Sequence, residues 1–582
     1  MSFSDGLSAR HTRLMHRLHA RWSAMARPAT AFTSTPEPRT IGSFARGRQL
    51  VAGNFLFAGT LVSEPQASIW DVGQGNAAFE SELHGFAWLD DLAAVGDMPS
   101  REKAQRWVWQ WIDSYGRGQG AGWTPDLTGR RLIRWINHAL LLLRGRDSRA
   151  SEDFYRSLGQ QTIFLSRRWH KALPGLPRFE ALTGLIYAGL ALEGMAQHVD
   201  LACKALEKEC KTQVDMQGGI PTRNPEELLE VFTLLTWAAS ALTEAERTVS
   251  PEHVAAIERI APTLRTLRHS DGGLARFHGG GRGIEGRLDH ALAESHVKTF
   301  QADGLAMGYA RLAAGRTSIV VDASPPATGA ASFNAHASTL AFELTSGRRP
   351  LIVNCGSGET FGLEWRRAGR ATPSHSTLSL DGRSSARLGS SRERFGEIEE
   401  PLVNAPKEVP IEMGQAPDGL RLQAGHDGFV AGYGITHART LELTFDGRGL
   451  VGEDLLVTLE DTAKRQFDKR MDANSLQGIP FDVRFHIHPD ADVALDMGGT
   501  AVSIALKSGE IWVFRHDSPA EMTVEPSVYL EKTRLKPRAT KQVVLSGVAI
   551  EYATRIRWSL AKAQDSAVAI RDLNRDEPDM TN

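Results

Sequence analysis

Cysteine is scarce in this chain: Cys203, Cys210 and Cys355 are the only three in 582 residues. If the stretch around the first two is helical, they stand two turns apart, a rise of roughly 10 Å. That exceeds the Cα separation a disulfide spans. No CxxC pair or Cys/His spacing accompanies them, which excludes a zinc finger and implies a reducing compartment or no need of disulfides. Charge of one sign is lacking too. Lys+Arg 67 against Asp+Glu 69 leaves a net −2. There is no molecule-wide basic field for nucleic acid, and an anionic ligand has to be met by a local cluster. Long apolar runs are also missing. No stretch reaches the roughly 18 apolar residues of a membrane span, and residues 1–28 hold no apolar run followed by a small-residue cleavage site. By the usual reading they are not a secretory signal, so the expectation is a cytoplasmic protein, with the periplasm as the alternative. Arg10, Arg13, Arg17 and Arg21 recur at helical spacing beside Leu14, Leu18 and Trp22. This reads as a solvated amphipathic helix, or alternatively as a membrane-surface or targeting helix.

What is present is ordinary globular material, 41% hydrophobic and 23% charged, in a chain long enough for two or more cores. From about residue 80 to 300 the apolar pattern is helical. Residues 128–143 put Leu132, Ile136, Ala139, Leu140 and Leu143 on one stripe, with Arg131, Arg134 and His138 opposite. Comparable segments follow at roughly 152–170, 180–197, 200–212, 225–243 and 251–269, separated by turn signals such as PGLPR, QGGIPTRNPEE and SDGG. Short connections between successive helices predict stacked helical hairpins, and no strict period supports a regular solenoid. Near residue 305 the character changes to short alternating strands punctuated by Gly and Asp, at 309–324, 336–356, 375–382, 437–449, 454–460, 482–489, 501–517 and 541–552. That pattern predicts an antiparallel sandwich. The expected organisation is an N-terminal helical extension (1–79), a domain of helical hairpins (80–304), an antiparallel β-sandwich (305–562) and a polar tail (563–582). FHGGGRGIEGR (277–287) reads as a surface loop, since it lacks the strand and lysine of a phosphate-binding loop.

The densest polar constellation is WRRAGRATPSHSTLSLDGRSSAR (365–387), where Arg366, Arg367, Arg370, Arg383 and Arg387 face one acid, Asp381, leaving a local charge of +4. Arginine forks match carboxylate and sulfate geometry, so the segment reads as an acidic-sugar cradle or as a solvated loop. His375 within it is a candidate general base or acid, or a satisfied structural histidine. Asn137 and His138, beside Arg131 and Arg134, form a second candidate group; the alternative for His138 is an exposed helical histidine. Arg223 and Asn224 precede a helix N-terminus, where anions bind favourably, with capping as the other role for Asn224. Trp88, Trp123 and Trp365 are candidate sugar platforms or core. His426, Asp427 and His437 are candidate zinc ligands without a matching signature, and His486 and His488 share a strand face. Tyr433 becomes a catalytic phenol if it faces a cleft.

Taken in order, GGIPTRNPEELLE, DGGLARF, YARLAAGRT, AHASTLAFELTSGRRPLIVNCG and WRRAGRATPSHSTLSLDG resemble the heparinase II/III group of polysaccharide lyases, over about residues 80–560 and most specifically over 336–387. The resemblance implies an (α/α) toroid followed by a β-sandwich, with β-elimination of a uronic-acid-containing polysaccharide in the groove between them. In that reaction a donor neutralises the uronate carboxylate, a base removes the C5 proton, and a group protonates the leaving O4. His375 matches the histidine of the group's H-x-T-L segment. Asn137 and His138 resemble its carboxylate-neutralising position, and Trp123, Arg134, Arg223, Asn224, Arg366, Arg367 and Arg370 become substrate-facing residues. One feature departs from the pattern. Members place a catalytic tyrosine in the toroid, but of seven tyrosines only Tyr115, Tyr155 and Tyr187 lie in the helical half, in no matching motif, and Tyr433 substitutes by position alone. Some members carry a structural zinc in the sandwich; here no full ligand set is assigned, and no other cofactor is implied. The expected partner is an acidic polysaccharide or oligosaccharide, not nucleic acid. Two rivals remain. One is a glycoside hydrolase or uronate epimerase on the same scaffold, drawing on Asp90, Asp91, Asp126 or Glu180. The other is a non-catalytic carbohydrate-binding protein of envelope polysaccharide metabolism.

Overall fold

Where apolar residues recur every three to four positions the chain winds into helices, and where they alternate it extends into strands. A computed structural model describes residues 3–26, 28–34, 38–73, 76–299, 304–394 and 397–564; the tail from 565 lies outside the described residues. The helices are α1 (Phe3–Ser23), α2 (Phe44–Val51), α3 (Ala77–Gly85), α4 (Ala87–Val95), α5 (Met98–Tyr115), α6 (Pro125–Asn137), α7 (Ala139–Leu143), α8 (Ser148–Arg168), α9 (Leu176–Ala191), α10 (Val199–Gln213), α11 (Pro225–Glu244), α12 (Pro251–Leu267) and α13 (Arg287–Glu294). They share one core that includes Trp88, Trp107, Trp111, Trp135 and Leu182. Starts follow local chemistry: Asp97, Asp147, Asn224 and Ser250 cap α5, α8, α11 and α12 with side-chain oxygens. Among the described residues no helix is long and apolar enough to cross a membrane. The lead-in expected to be helical also holds a hairpin, β1 (Asn54–Phe57) with β2 (Thr60–Ser63), because the alternation of Phe55 and Phe57 buries one strand face.

Helices α6 and α9 cross at backbone contact. A Cβ on Gly129 would lie 2.2 Å from the Glu180 carbonyl oxygen, and one on Gly184 would lie 2.4 Å from the Gly129 Cα. Neither position has room for a side chain, and overpacking of this kind costs about 1–3 kcal/mol or more. Gly129→Val is therefore expected to lower the melting temperature by several degrees, read by circular dichroism; an unchanged melt would contradict the crossing.

The expected single helix over 128–143 breaks at His138, whose backbone leaves helical geometry (φ −102°, ψ 17°). Arg131 is not on a solvated face. It is fully buried, its guanidinium stacked 4.1 Å from the Trp111 ring centroid and bonded to Gln161 and to the His84 and Gly122 carbonyls. Leu140, assigned to the buried stripe, is 76% exposed, since the break rotates α7 relative to α6.

The C-terminal half is two antiparallel sheets. Its elements are β3 (Tyr309–Ala314), β4 (Thr317–Asp322), β5 (Phe342–Ser346), β6 (Arg349–Val353), α14 (Leu363–Arg370), β7 (Leu378–Leu380), β8 (Arg387–Leu388), β9 (Arg392–Arg394), β10 (Glu397–Glu399), β11 (Leu402–Val403), β12 (Ile411–Ala416), β13 (Gly419–His426), α15 (Val430–Tyr433), β14 (Thr436–Thr444), β15 (Gly449–Val457), α16 (Asp461–Ala473), β16 (Ile479–Ile487), β17 (Asp492–Asp496), β18 (Ala501–Ala505), β19 (Ile511–Asp517), β20 (Glu521–Tyr529), β21 (Arg538–Ala549) and β22 (Ala553–Gln564). One sheet runs β20-β21-β16-β6-β5-β4-β3, with β7 also on β16; the other runs β12-β13-β14-β15-β22-β19-β18-β17. Their inner faces share a core that includes Phe342, Phe485, Phe514 and Trp558, in which the Phe342 and Trp558 rings stack within 4° of parallel. The architecture is thus a toroid of helical hairpins followed by an antiparallel β-sandwich. Strands β14 and β15 alternate buried and accessible, as an outer sheet should, whereas β4 and β5 are buried at every position. Their second face is covered by loops of the helical half. The Gly-rich segment expected at the surface supplies part of that cover: Phe277, His278, Gly279 and Gly280 are buried, and only the part beyond them reaches solvent.

Candidate functional site

Strand β4 ends at Asp322, and the chemistry of the seam between the halves is organised around it. Arg223, from the loop before α11, donates to Asp322 Oδ1 at 2.6 Å and to the carbonyls of Met307, Gly308, Ser324 and Pro325. Ser338 Oγ donates to Oδ2 at 2.6 Å, and His278 Nε2 stands 3.4 Å from it. Burial alone would raise this carboxyl, but the Arg223 charge and His278 outweigh it and hold Asp322 well below the usual carboxylate range. The seam is pinned again by Lys532, which donates to Glu226 at 2.8 Å, and by Arg276, stacked 3.9 Å from the Tyr529 ring.

From Asp322 a line of histidines leads inward. His278 Nδ1 accepts the His336 backbone N–H at 3.0 Å, His336 Nδ1 lies 3.0 Å from His375 Nε2, and His375 Nδ1 lies 2.8 Å from the Ala371 carbonyl. A carbonyl only accepts, so His375 carries its proton on Nδ1. Its Nε2 then accepts from His336 Nδ1–H, and the His336 lone pair is left on Nε2, which has no hydrogen-bond partner among the described residues. Burial, reinforced by neighbouring histidines, lowers His375 to about 4 and holds His336 well below the ordinary histidine value. Both rings are neutral at pH 7. The free lone pair of this pair is therefore on His336, while His375, expected as a general base or acid, fixes its tautomer. Nothing in the local pattern AHAST marked His336, because its role depends on a carbonyl 35 residues away in the chain.

These buried neutral histidines have a consequence for stability. Burial also lowers His486 and His253 to about 4. The unfolded chain binds protons at these positions below about 6.5 while the folded chain does not, so stability falls as pH drops from about 6.5 toward 4. A lower melting temperature at pH 5 than at pH 7.5 is expected; an equal or higher one would contradict it.

The second candidate group closes on α6. Asn137 is buried, and neither its Nδ2 nor its Oδ1 has a protein partner. An unpaired buried amide costs about 1–3 kcal/mol, so it marks a place where water or a ligand completes the structure. His138 is buried, not exposed, with Nε2 2.9 Å from Asp90 Oδ1 and 3.0 Å from Thr40 Oγ1. Arg134 donates to the other Asp90 oxygen at 3.0 Å. Against burial, Arg134 and His138 hold Asp90 low, whereas burial pushes its neighbour Asp91 up to about 6 and Glu180 up to about 7. Among the described residues no hydrogen bond or ion pair joins this group to the histidines of the seam.

Other expected site residues sit elsewhere. Asn224 caps α11. The Arg223 fork is spent on Asp322 and carbonyls, so it tethers the seam and does not face an outside anion. Trp88 and Trp123 are buried in the helical core, Trp123 donating to the Tyr115 carbonyl, so neither is a sugar platform; Trp365 is partly exposed. The segment expected as an arginine loop opens as α14. Arg366 bonds Asn334 and the Phe333 and Ile398 carbonyls, Arg367 holds Glu400, and Arg370 bonds the Ala335 and Ser332 carbonyls. Tyr433 donates to Asp381 at 2.7 Å; burial and that carboxylate raise the phenol, which opposes its use as a base. In the helical half, burial raises Tyr115, Tyr155 and Tyr187. His426 and His437 pair across β13 and β14 at 3.2 Å, and His437 bonds Asp454, which Arg439 also holds. Among the described residues no cluster of three or more His, Cys, Asp and Glu is arranged to hold a metal.

A helical toroid followed by an antiparallel sandwich is the fold this chain shares with solved heparinase structures. The family description "Heparinase II/III-like, C-terminal" matches residues 298–559. FtsZ-localized protein C of Caulobacter vibrioides (strain NA1000 / CB15N) is 30% identical over 556 residues, covering 94% of this chain and 92% of that protein. The crystal structure of heparinase III superposes with a TM-score of 0.65 at 11% identity, covering 96% of this chain and 90% of that one. A heparan sulfate lyase mutant from Pedobacter heparinus superposes with a TM-score of 0.57 at 14% identity, covering 96% and 89%. The chain belongs to the same family as FtsZ-localized protein C, and its residues 298–559 carry the heparinase II/III-like C-terminal domain.

Proposed function

We propose that this chain cleaves a uronic-acid-containing poly- or oligosaccharide by β-elimination at the seam between toroid and sandwich. The observation that carries this reading is the neutral His336–His375 pair, with one lone pair free on His336 Nε2. A neutral imidazole with its other nitrogen committed is suited to take the C5 proton, and the proton gained can then pass to the departing O4. Asn137, whose amide has no internal partner, is the candidate donor to the uronate carboxylate. Elimination leaves an unsaturated uronate, so absorbance at roughly 230 nm across a panel of acidic glycans tests it, with His375→Ala and Asn137→Ala beside the wild type. A rise that both variants lose supports the reading; no rise on heparan sulfate, alginate, hyaluronan and bacterial exopolysaccharides counts against it.

Two observations favour rivals. Glu180 is the raised carboxyl a glycoside hydrolase would use as its acid, with one buried oxygen unpaired. Saturated products from the same panel would establish that chemistry. The second rival is a protein that binds glycan without turnover, and the observation behind it is a relative named for localisation to FtsZ and not for a reaction. Binding that survives His336→Ala, with no product at any pH, would establish that instead.

A further inference from the structure

Strand β12 ends the second sheet, and its free edge is bare. It pairs with β13 alone, in unbroken register from Ile411 opposite Ala424 to Ala416 opposite Gly419. Just before it, the Gly425 N–H donates to the Pro410 carbonyl. Antiparallel bonding alternates along a strand, so residues 412, 414 and 416 also bond β13, and the N–H and C=O groups of Ile411, Met413 and Gln415 point away from it. No other strand takes those outward groups. Glu412, Met413, Gly414 and Gln415 are exposed, and a Cβ on Gly414 would meet nothing within 4 Å. Soluble proteins blunt such edges with lysine, proline, a bulge or a covering segment. That is done elsewhere in this fold. Lys541 takes the Val493 carbonyl of β17, at the other end of the same sheet, and Leu530, just past β20, donates to the Cys355 carbonyl. Strand β12 has no lysine, no proline and no bulge.

We propose that β12 pairs with β12 of a second copy of this chain, antiparallel about a two-fold axis at Met413. The outward groups fix that register. With Met413 opposite Met413 and Ile411 opposite Gln415, every outward N–H and C=O of both strands finds a partner. The same register sets Glu412 opposite the partner's Gly414, so like charges do not meet. On that face Gly414 stands next to Arg421 of β13. Two strand spacings, roughly 10 Å, then separate Arg421 from the partner's Glu412. The glycine between them carries no side chain, so the two long side chains meet over it. Glu412 has no ion-pair partner among the described residues. Arg421 stands 3.4 Å from Glu442 with its side chain 48% exposed, and a guanidinium has donors left for a second acid. The two-fold axis makes this pair twice. An unrelated extended segment could pair the edge, but only a second copy supplies an acid against Arg421 and an arginine against Glu412 in one register. Association is read without turnover, so it stands apart from the chemistry of the seam.

The test is sedimentation velocity of the full chain from low to high micromolar concentration. The mass is expected to rise with concentration from one chain toward two. Met413→Pro removes the central outward N–H and spares the bonds to β13, so it should weaken association at least tenfold while circular dichroism shows the fold intact. Glu412→Arg and Arg421→Glu should each weaken it, and the double variant, which exchanges the two charges, should restore it. That rescue requires the two residues to meet across the interface. One chain at every concentration overturns the proposal and leaves the edge to a strand from another protein. A dimer that Met413→Pro leaves unchanged, or a double variant as weak as the single ones, overturns it as well.

Discussion

His336→Ala is expected to lower kcat/KM for eliminative cleavage by about 10²–10⁴-fold, the usual contribution of a positioned base. The argument is tautomeric. The Ala371 carbonyl forces the His375 proton onto Nδ1, so His375 can only accept from His336, and the free lone pair belongs to His336. His375→Gln should then leave part of the activity, because an amide can still hold the His336 ring, while His375→Ala releases it. Since both rings are held below the ordinary histidine range, the acid limb of kcat/KM should lie well under pH 6.5. Tyr433→Phe is expected to leave the rate within a few-fold, as its hydroxyl serves Asp381. A profile with its limb at 6.5, or a Tyr433→Phe variant as impaired as His336→Ala, would overturn this assignment of the base.

Asp322→Ala is expected to be the most destabilising single change at the seam, at about 3–5 kcal/mol, because it strands the buried Arg223 charge. The same carboxylate also receives Ser338 and faces His278, so one substitution frees three groups from two halves of the chain. Thermal melts should drop by several degrees and separate into two transitions as helical and sandwich cores uncouple. Asp322→Asn, which keeps the shape and one acceptor, should fall between. The wild-type contribution of Asp322 is present above the unfolded carboxyl value, near 3.9, and is lost as pH falls through its depressed folded value. A single unshifted transition for Asp322→Ala would show that the seam is held elsewhere.

Much of the fold was legible from local pattern. The cap at Asn224 and the alternation over 437–449 and 454–460 each place an element close to where it lies. The misses have physical reasons. Residues 128–143 keep one helical periodicity, but His138 is drawn to Asp90 and Thr40, contacts 48 and 98 residues distant in sequence, and the helix breaks there. The charged, weakly apolar stretch 461–473 forms α16 because Phe467 and Met471 find the sandwich core.

Candidate residues divide the same way. Histidine, asparagine and arginine side chains carry their chemistry wherever they stand, so the sequence alone marked His375, Asn137, Arg367 and Arg370, and its order of segments marked the family. It also determined that helices come first and strands after, because periodicity is a property of neighbours along the chain. Which nitrogen holds a proton, which arginine is already neutralised and which polar atom is left unpaired were decided only by the tertiary structure. Those states depend on burial and on partners such as Ala371 for His375, Asp322 for Arg223 and Glu400 for Arg367, and low-dielectric contacts between distant segments set them.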